Sequence, residues 1–310
     1  MVDARRLRAV LLPAVLMIGV WSNTLWAARD GQTVSEAFPN LSSGALASAK
    51  LAALPKGVVL RSGKLVLKQT DLDAAIRKSS KDIWPQLKRS LFFVMENNAT
   101  RALLADEAKA WARTRGRGAA GDQDTLIRDY LKDLTAGITV TDAEVQGFYD
   151  QNKSMFGETT FDQAKGEIRG YLVDEKRGDF IDRHVDTISE RTPIIVDTAW
   201  VTKQYSAAMD NPVDKARQSG RPLLVDFGAD GCRPCDMMTP VLDSLKKKYT
   251  GKVNVLFVHV RKEPILGSRY GISSIPVQVF FDKSGAEFFR HVGFFPQDQI
   301  EAKLAEMGVK

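Results

Sequence analysis

The feature that most constrains this chain is a pair of cysteines, Cys232 and Cys235, placed between an apolar run and a helical pattern. They are the only two cysteines in 310 residues. A disulfide between them closes so small a ring that it adds little loop-closure stabilisation, so the spacing favours a redox-active pair. The alternatives are half of a zinc site or two core thiols. A zinc site needs two further ligands, and the three histidines (184, 259 and 291) are not paired near the cysteines.

The flanking pattern predicts a strand, a tight connection and a helix. Residues 222–228 form a short apolar run interrupted only by Asp226, and apolar side chains recur at helical spacing after Cys235. Cys232 is therefore predicted to lie at the helix start, where free N–H groups, the helix dipole and the adjacent Arg233 favour a thiolate. Pro234 suits the first helical turn. Cys235, one turn in, is predicted to be the shielded thiol that attacks back to release a mixed disulfide.

The rest of the C-terminal third alternates strands and helices. Residues 253–260 are apolar on both faces, as in a central strand, and further strands are predicted at 277–281 and 286–291. Gly293 precedes a last helix with an apolar stripe at Ile300, Leu304 and Met307.

From about Pro222 to Gly308 this region resembles thioredoxin. The matching positions are Val225-Asp226-Phe227, Cys232, Pro234-Cys235, Pro240, Tyr249, Gly251-Lys252, Tyr270-Gly271-Ile272, Ile275-Pro276, Phe281, Gly285 and Gly293. The resemblance implies an α/β thioredoxin fold over residues 205–310, with a mixed central sheet flanked by helices. It also implies a cis Ile275–Pro276 peptide bond packed against the disulfide, which helps to position an extended substrate. We accordingly assign Ile275, Pro276, Arg233 and Gly293 to substrate binding.

The resemblance further implies that Asp226 is a buried carboxylate that exchanges a proton with Cys235. Burial raises the pKa of an acid on a strand, which suits a base near neutrality. The alternative is a hydrogen-bonded structural carboxylate. The chain departs from the family at Gly231, where a tryptophan is usual, and at Phe257, where a lysine is often found. The predicted catalytic set is thus Cys232, Cys235 and Asp226, with no metal and no cofactor other than the redox-active disulfide.

The N-terminus predicts export. Three arginines within residues 5–8 precede an uncharged stretch from Ala9 to Ala28, the pattern of a signal peptide or signal anchor over residues 1–28. Residues 25–27 form an acceptable cleavage site, whereas tryptophans near the end of the stretch are also compatible with a retained anchor. In either case the rest of the chain is predicted to face an oxidising periplasm, soluble or tethered to the inner membrane.

Residues 29–56, rich in small and polar side chains, are predicted to be a linker. Residues 57–201 are predicted to be mainly helical after a small hairpin at 58–67. A capping pair at Thr70 and Asp73 predicts one helix start, and Thr141 and Glu144 predict another. A long helix is predicted from Trp84 to about residue 103, and the last long helix is predicted to end at Thr192-Pro193.

This middle region resembles the chaperone domain of SurA and related peptidyl-prolyl isomerases. The matching segments are Val58–Asp73, Val140–Val145, Phe148–Asn152 with Phe156, Phe161–Lys165 and Ile168–Leu172. In that family an isomerase domain follows the segment ending at Phe156, but here only residues 157–160 separate Phe156 from Phe161. Prolyl isomerase activity is therefore not expected. The remaining interpretations of this region are a helical cradle for nonnative polypeptide and a dimerisation module.

Three further features carry no separate function. The glycine pattern at 116–121 follows a helix rather than a strand, so nucleotide binding is not expected. His184 shares a helical face with Ile181, Val185 and Ile188, which favours a packed side chain over a catalytic one. The formal charge of +6 arises from 44 basic and 38 acidic residues, a balance that gives no case for nucleic acid.

Two functions follow from these patterns. The first is an exported thiol–disulfide oxidoreductase of the reductase or isomerase type. Its partners would be protein thiols and disulfides together with a membrane or periplasmic redox partner, and its helical domain would bind substrate or form a homodimer. The alternative is a periplasmic chaperone or adaptor in which the thioredoxin-like domain is a non-catalytic binding module.

Overall fold

The computed structural model describes residues 28–42, 44–116 and 122–310. The predicted export segment lies outside these residues except for Ala28, and so does the glycine pattern except for Gly116. Within the described ranges, no helix is both long and apolar enough to cross a membrane.

The N-terminal part of the described chain is mainly helical. Its elements are α1 (Val34–Ala37), β1 (Lys50–Ala52), β2 (Val58–Ser62), β3 (Leu65–Lys68), α2 (Gln69–Lys78), α3 (Trp84–Arg89), α4 (Leu91–Thr114), α5 (Gln123–Leu134), α6 (Asp142–Gln151), α7 (Lys153–Phe156), α8 (Phe161–Arg191), β4 (Ile195–Asp197) and α9 (Thr198–Ala208). The strands form one sheet in the order β1-β4-β2-β3, in which β2 and β3 make the predicted hairpin.

Helix boundaries in this part agree only partly with the sequence prediction. The Thr141–Glu144 capping box is present, with the Thr141 N–H donating to Glu144 Oε2 at 2.9 Å. The predicted Thr70–Asp73 pair is wrong, because α2 begins earlier and the Lys68 N–H donates to Asp71 instead. The single long helix predicted from Trp84 is divided into α3 and α4, since Ser90 takes non-helical dihedral angles between them.

The predicted linker over residues 29–56 is wrong, because this segment is part of the N-terminal core. Strand β1 pairs in parallel with β4, and Val34, Leu46 and Leu51 are completely buried. The side chain of Glu96 on α4 fixes the segment by accepting hydrogen bonds from the Leu46 N–H, at 3.1 Å, and from the Ser42 hydroxyl. Burial of these apolar side chains against α4 outweighs the low local hydrophobicity of the segment.

The C-terminal part has the fold that the thioredoxin resemblance implied. Its elements are α10 (Pro212–Arg217), β5 (Leu223–Gly228), α11 (Arg233–Lys248), β6 (Asn254–His259), α12 (Pro264–Arg269), β7 (Val277–Phe281), β8 (Glu287–Val292) and α13 (Gln297–Glu306). The sheet order is β6-β5-β7-β8, with β5 and β6 parallel and the other pairs antiparallel. Apolar side chains from α11 and α13 pack on one face, and those from α10 and α12 pack on the other. This mixed sheet flanked by helices confirms the predicted α/β class.

The position of β6 differs from the prediction. Its apolar residues predicted a central strand, but among the described strands β6 lies at the edge of the sheet, beside β5 only. The chain before β5 is helical, in α9 and α10, and supplies no further strand at this edge. As a result Phe257 is 45% exposed.

The two parts pack against each other. The Arg217 guanidinium donates to the side-chain oxygen of Asn40 at 2.6 Å, and the Gln86 amide donates to the Lys262 carbonyl at 2.7 Å. Ile265 of α12 belongs to the same apolar cluster as the N-terminal core. These contacts fix the helical part next to the sheet that carries the two cysteines.

Candidate active site

Cys232 and Cys235 are joined by a disulfide at the start of α11, with their α-carbons 5.2 Å apart. Cys232 is the N-cap residue of that helix, and its sulfur accepts the Cys235 N–H at 3.3 Å. Cys232 is partly exposed, whereas Cys235 is only 4% exposed. The helix start stabilises negative charge, so the accessible sulfur is also the one placed to form a thiolate.

The loop before β7 lies against the disulfide. The Ile275–Pro276 peptide bond is cis, and the Ile275 carbonyl oxygen is 3.9 Å from the Cys232 sulfur. The Gly293 N–H donates to the Pro276 carbonyl at 2.8 Å, so Gly293 holds this loop from behind. The structure therefore brings Ile275 and Pro276 to Cys232, with Gly293 supporting them.

Arg233 projects from the turn between the cysteines towards the helical part. It is exposed, and a β-carbon built on Gly157 would lie 3.4 Å from its guanidinium. The close approach of these two residues places the connection between α7 and α8 beside the Arg233 guanidinium.

Asp226 lies on β5 directly opposite Gln278 of β7. Both side chains are completely buried, and the Gln278 amide donates to Asp226 Oδ1 at 2.6 Å. Burial raises the pKa of Asp226 to about 6, although the hydrogen bond from Gln278 acts in the opposite direction. A carboxyl with this pKa changes its protonation state near neutrality, as an acid–base group for a thiol requires.

Asp226 and Cys235 are on the same side of the sheet. Side chains two positions apart on a strand share a face, so Asp226 faces the same way as Gly228. A β-carbon built on Gly228 would lie 3.3 Å from the Cys235 sulfur and 2.9 Å from the ring of Phe257. The space beside Cys235 left by the missing side chain of Gly228 is therefore occupied by the Phe257 ring.

The sequence interpretation missed two groups at this site. Gln278 is the one polar residue of β7, and a polar residue within an otherwise apolar strand is the sequence feature that could have identified it. His259 Nε2 is within hydrogen-bond distance of Asp230 Oδ2, at 2.9 Å, and Arg261 donates to the Asp230 carbonyl at 3.0 Å. The hydrogen bond from His259 holds the pKa of Asp230 below its usual range, and these contacts anchor the loop that leads into Cys232.

In the part of the chain that the structure describes, no three His, Cys, Asp or Glu side chains come together in an arrangement that could hold a metal ion. His184 lies far along the chain from the cysteines, and its Nε2 is 2.6 Å from the Tyr130 hydroxyl. Burial lowers the pKa of His184, in keeping with a packed side chain.

Comparison with known proteins gives the class of the C-terminal part. The sequence model of the thioredoxin family matches residues 202–306. A thioredoxin from Alicyclobacillus acidocaldarius subsp. acidocaldarius is 39% identical over 98 residues, which are 32% of this chain and 92% of that protein. A thioredoxin from Rickettsia felis is 42% identical over 83 residues, 27% of this chain and 78% of its own length. An M-type chloroplastic thioredoxin from Pisum sativum is 37% identical over 86 residues, 28% of this chain and 49% of its own length.

The chain thus belongs to the thioredoxin family through its C-terminal domain. Membership of this family indicates a redox, oxidoreductase activity for that domain at a general level. The family model starts at residue 202, so it reaches the helical N-terminal part only in α9, and this part is the larger share of the chain.

Proposed function

We propose that this protein is an exported thiol–disulfide oxidoreductase that acts on disulfides of unfolded or extended polypeptides. The observation that carries the proposal is the disulfide at the N-terminus of α11, with Cys232 accessible and Cys235 buried. A bridge closing so small a ring contributes little to stability, and the sulfur at the helix start is placed for nucleophilic attack. Reductase or isomerase chemistry is the direction we propose, because the relatives are thioredoxins.

The proposed reaction starts from the reduced dithiol. The Cys232 thiolate attacks one sulfur of a substrate disulfide, the substrate S–S bond breaks, and the other substrate sulfur leaves as a thiolate. Cys235 then transfers its proton to Asp226, and the Cys235 thiolate attacks the Cys232 sulfur. The intermolecular S–S bond breaks, the Cys232–Cys235 disulfide forms, and the second substrate thiolate is released. Two electrons pass to the substrate, and a dithiol partner in the membrane or periplasm restores the reduced state.

We further propose that the helical part is a SurA-like domain that presents the polypeptide to Cys232. Its support is the position of α8, which lines a groove of about 410 Å³ together with the loop before β7. Tyr171 and Gly178 form the helical wall, and Ser274 and Val277 form the opposite wall. An extended segment placed beside Ile275 and Pro276 would therefore contact both parts. A homodimer formed through the helical part is the other use of this domain compatible with its sequence.

Trapping of mixed disulfides tests the proposal. Cys235→Ser is expected to accumulate covalent adducts with insulin that has been reduced and then reoxidised. Cys232 attacks an insulin disulfide, but the thiol that would resolve the mixed disulfide is absent. Cys232→Ser is the matched control and is expected to form few adducts, since the remaining thiol is buried. Non-reducing gel electrophoresis of the full-length variants gives the readout. If neither variant forms adducts and the double serine variant still suppresses aggregation of an unfolded protein, the protein is a chaperone or adaptor and the catalytic proposal is wrong.

A further inference from the structure

Four side chains form a row across the sheet beneath the disulfide. Phe257 of β6 is opposite Asp226 of β5, Asp226 is opposite Gln278 of β7, and Gln278 is opposite His291 of β8. Residues in register on neighbouring strands share a face, and this is the face that Gly228 presents to Cys235. The row therefore lies on the same side of the sheet as the buried sulfur.

The Asp226–Gln278 contact is asymmetric. The Gln278 amide donates to Asp226 Oδ1 at 2.6 Å, while Asp226 Oδ2 and Gln278 Oε1 have no hydrogen-bond partner among the described residues. Burying an amide with an unpaired oxygen costs free energy, and a leucine of similar size would fill the same space without that cost. Packing alone does not account for a glutamine at this position, but its contact with the carboxyl does.

We propose that Gln278 is a positioning residue that holds Oδ1 of Asp226 and leaves Oδ2 as the oxygen that exchanges a proton with Cys235. This inference rests on the proposed function, in which Asp226 accepts the Cys235 proton. In that step the Sγ–H bond breaks, the proton moves to Oδ2, and the electron pair stays on sulfur for attack on the Cys232 sulfur. An amide N–H binds a carboxylate more strongly than a carboxylic acid, so Gln278 favours the form that can accept the proton.

The other groups facing Asp226 do not duplicate this effect. Phe257 is apolar, and Cys235 from α11 is the proton donor itself. His291 is the other titratable side chain in the row, and its ring stacks on Phe295 while Nε2 lies 3.2 Å from the Phe294 carbonyl. Burial lowers the pKa of His291, which disfavours the charged imidazole that could stabilise the carboxylate.

Gln278→Leu in the full-length oxidised protein tests the inference directly. The carboxyl titration of Asp226 is followed by NMR with 13C-labelled aspartate, and Asp226→Asn assigns the signal. Loss of a hydrogen bond to a charged group is expected to raise the midpoint by about one to two pH units from the value near 6. Val279→Ala, which removes buried methyl groups from the opposite face of β7, is the matched control and is expected to leave the midpoint in place. A midpoint that Gln278→Leu moves no more than Val279→Ala does would overturn the inference.

The resolving step gives a second readout. A mixed disulfide is first formed between Cys232 and a substrate, with Cys235 as the free thiol. Near neutral pH, Gln278→Leu is expected to slow the release of this substrate roughly two- to ten-fold, because a smaller fraction of Asp226 is ionised. In the Asp226→Asn background Gln278→Leu is expected to have no further effect on the pH profile. If Asp226→Asn alone leaves that profile unchanged, the proposed proton transfer fails, while the NMR titration still decides whether Gln278 sets the protonation of Asp226. An equal slowing by Gln278→Leu in both backgrounds would contradict the positioning role.

Discussion

Replacing Asp226 by asparagine is expected to stabilise the oxidised protein in a pH-dependent way. Burial raises the pKa of this carboxyl from an ordinary value of 3.8 to about 6. Between these two values the folded protein holds the proton and the unfolded chain does not, so stability falls as pH rises through this window and is level above it. At about 1.4 kcal/mol per pKa unit, the ionised carboxyl destabilises the fold by about 3 kcal/mol at pH values above the window.

Asparagine cannot ionise but keeps the oxygen that accepts the Gln278 hydrogen bond at 2.6 Å. Asp226→Asn is therefore expected to raise the free energy of unfolding by about 3 kcal/mol near pH 8 and by only about 0.5 kcal/mol near pH 4. Urea unfolding followed by circular dichroism at several pH values measures this difference. Asp236→Asn, at an exposed position on α11, is the matched control for a change of net charge.

The decisive observation is how the stability gained by Asp226→Asn changes with pH. An increment for Asp226→Asn that is the same near pH 4 and near pH 8 would refute the reasoning. A carboxyl whose pKa rises on folding must make stability depend on pH between its pKa in the unfolded chain and its pKa in the folded protein. A stabilising effect that appears equally in Asp236→Asn would also contradict the argument, because burial of the Asp226 carboxyl would then not be its cause.

Two further substitutions test buried contacts in the C-terminal domain. Arg217→Met is expected to lower the free energy of unfolding by about 2 kcal/mol or more, because the completely buried Asp214 loses one cationic neighbour. Arg221→Met, at an exposed position, is the control and is expected to lower the free energy of unfolding far less. Urea unfolding at neutral pH measures both variants, and equal losses would contradict the argument. Gly228→Ala is expected to cost about 1–3 kcal/mol, since its β-carbon would lie 2.9 Å from the Phe257 ring. Adding Phe257→Ala to Gly228→Ala is expected to recover part of the lost free energy of unfolding. If the losses of the two single variants simply add in the double variant, the β-carbon introduced by Gly228→Ala and the Phe257 ring do not compete for the same volume.

Much of the C-terminal domain was predictable because its signals are local. The cysteine spacing, the apolar run before it and the helical pattern after it all lie within residues 222–249, and the structure has β5 and α11 there. Whether a strand is central or at an edge is not a local property. The residues of β6 are apolar on both faces, but the number of its neighbours is decided by the chain before β5, which forms helices.

The N-terminal segment shows the same limit more strongly. Residues 44–49 are mostly small, with no helical or strand period, and they predicted a linker. In the structure Ala45 and Ala49 are buried in the N-terminal core, and a β-carbon built on Gly44 would lie 3.5 Å from Oε1 of Glu96 on α4. The hydrogen bond that the Leu46 N–H donates is accepted by Glu96, 50 residues away in the chain. Burial achieved through such distant partners leaves no periodic trace in the segment itself.

The proposed proton-exchange site depends on both local and distant parts of the sequence. Asp226 could be found from its place in an apolar run, but Gln278 lies 52 residues further on and meets it only through the register of β5 and β7. Phe257 stands where the family often has a lysine, and its ring fills the volume beside Cys235 that Gly228 leaves open. An aromatic ring in that volume supplies no cation for the carboxylate of Asp226. The polar contact for this carboxyl comes instead from the opposite neighbour in the sheet, so the protonation of Asp226 is expected to depend on Gln278 more than on any residue of β6.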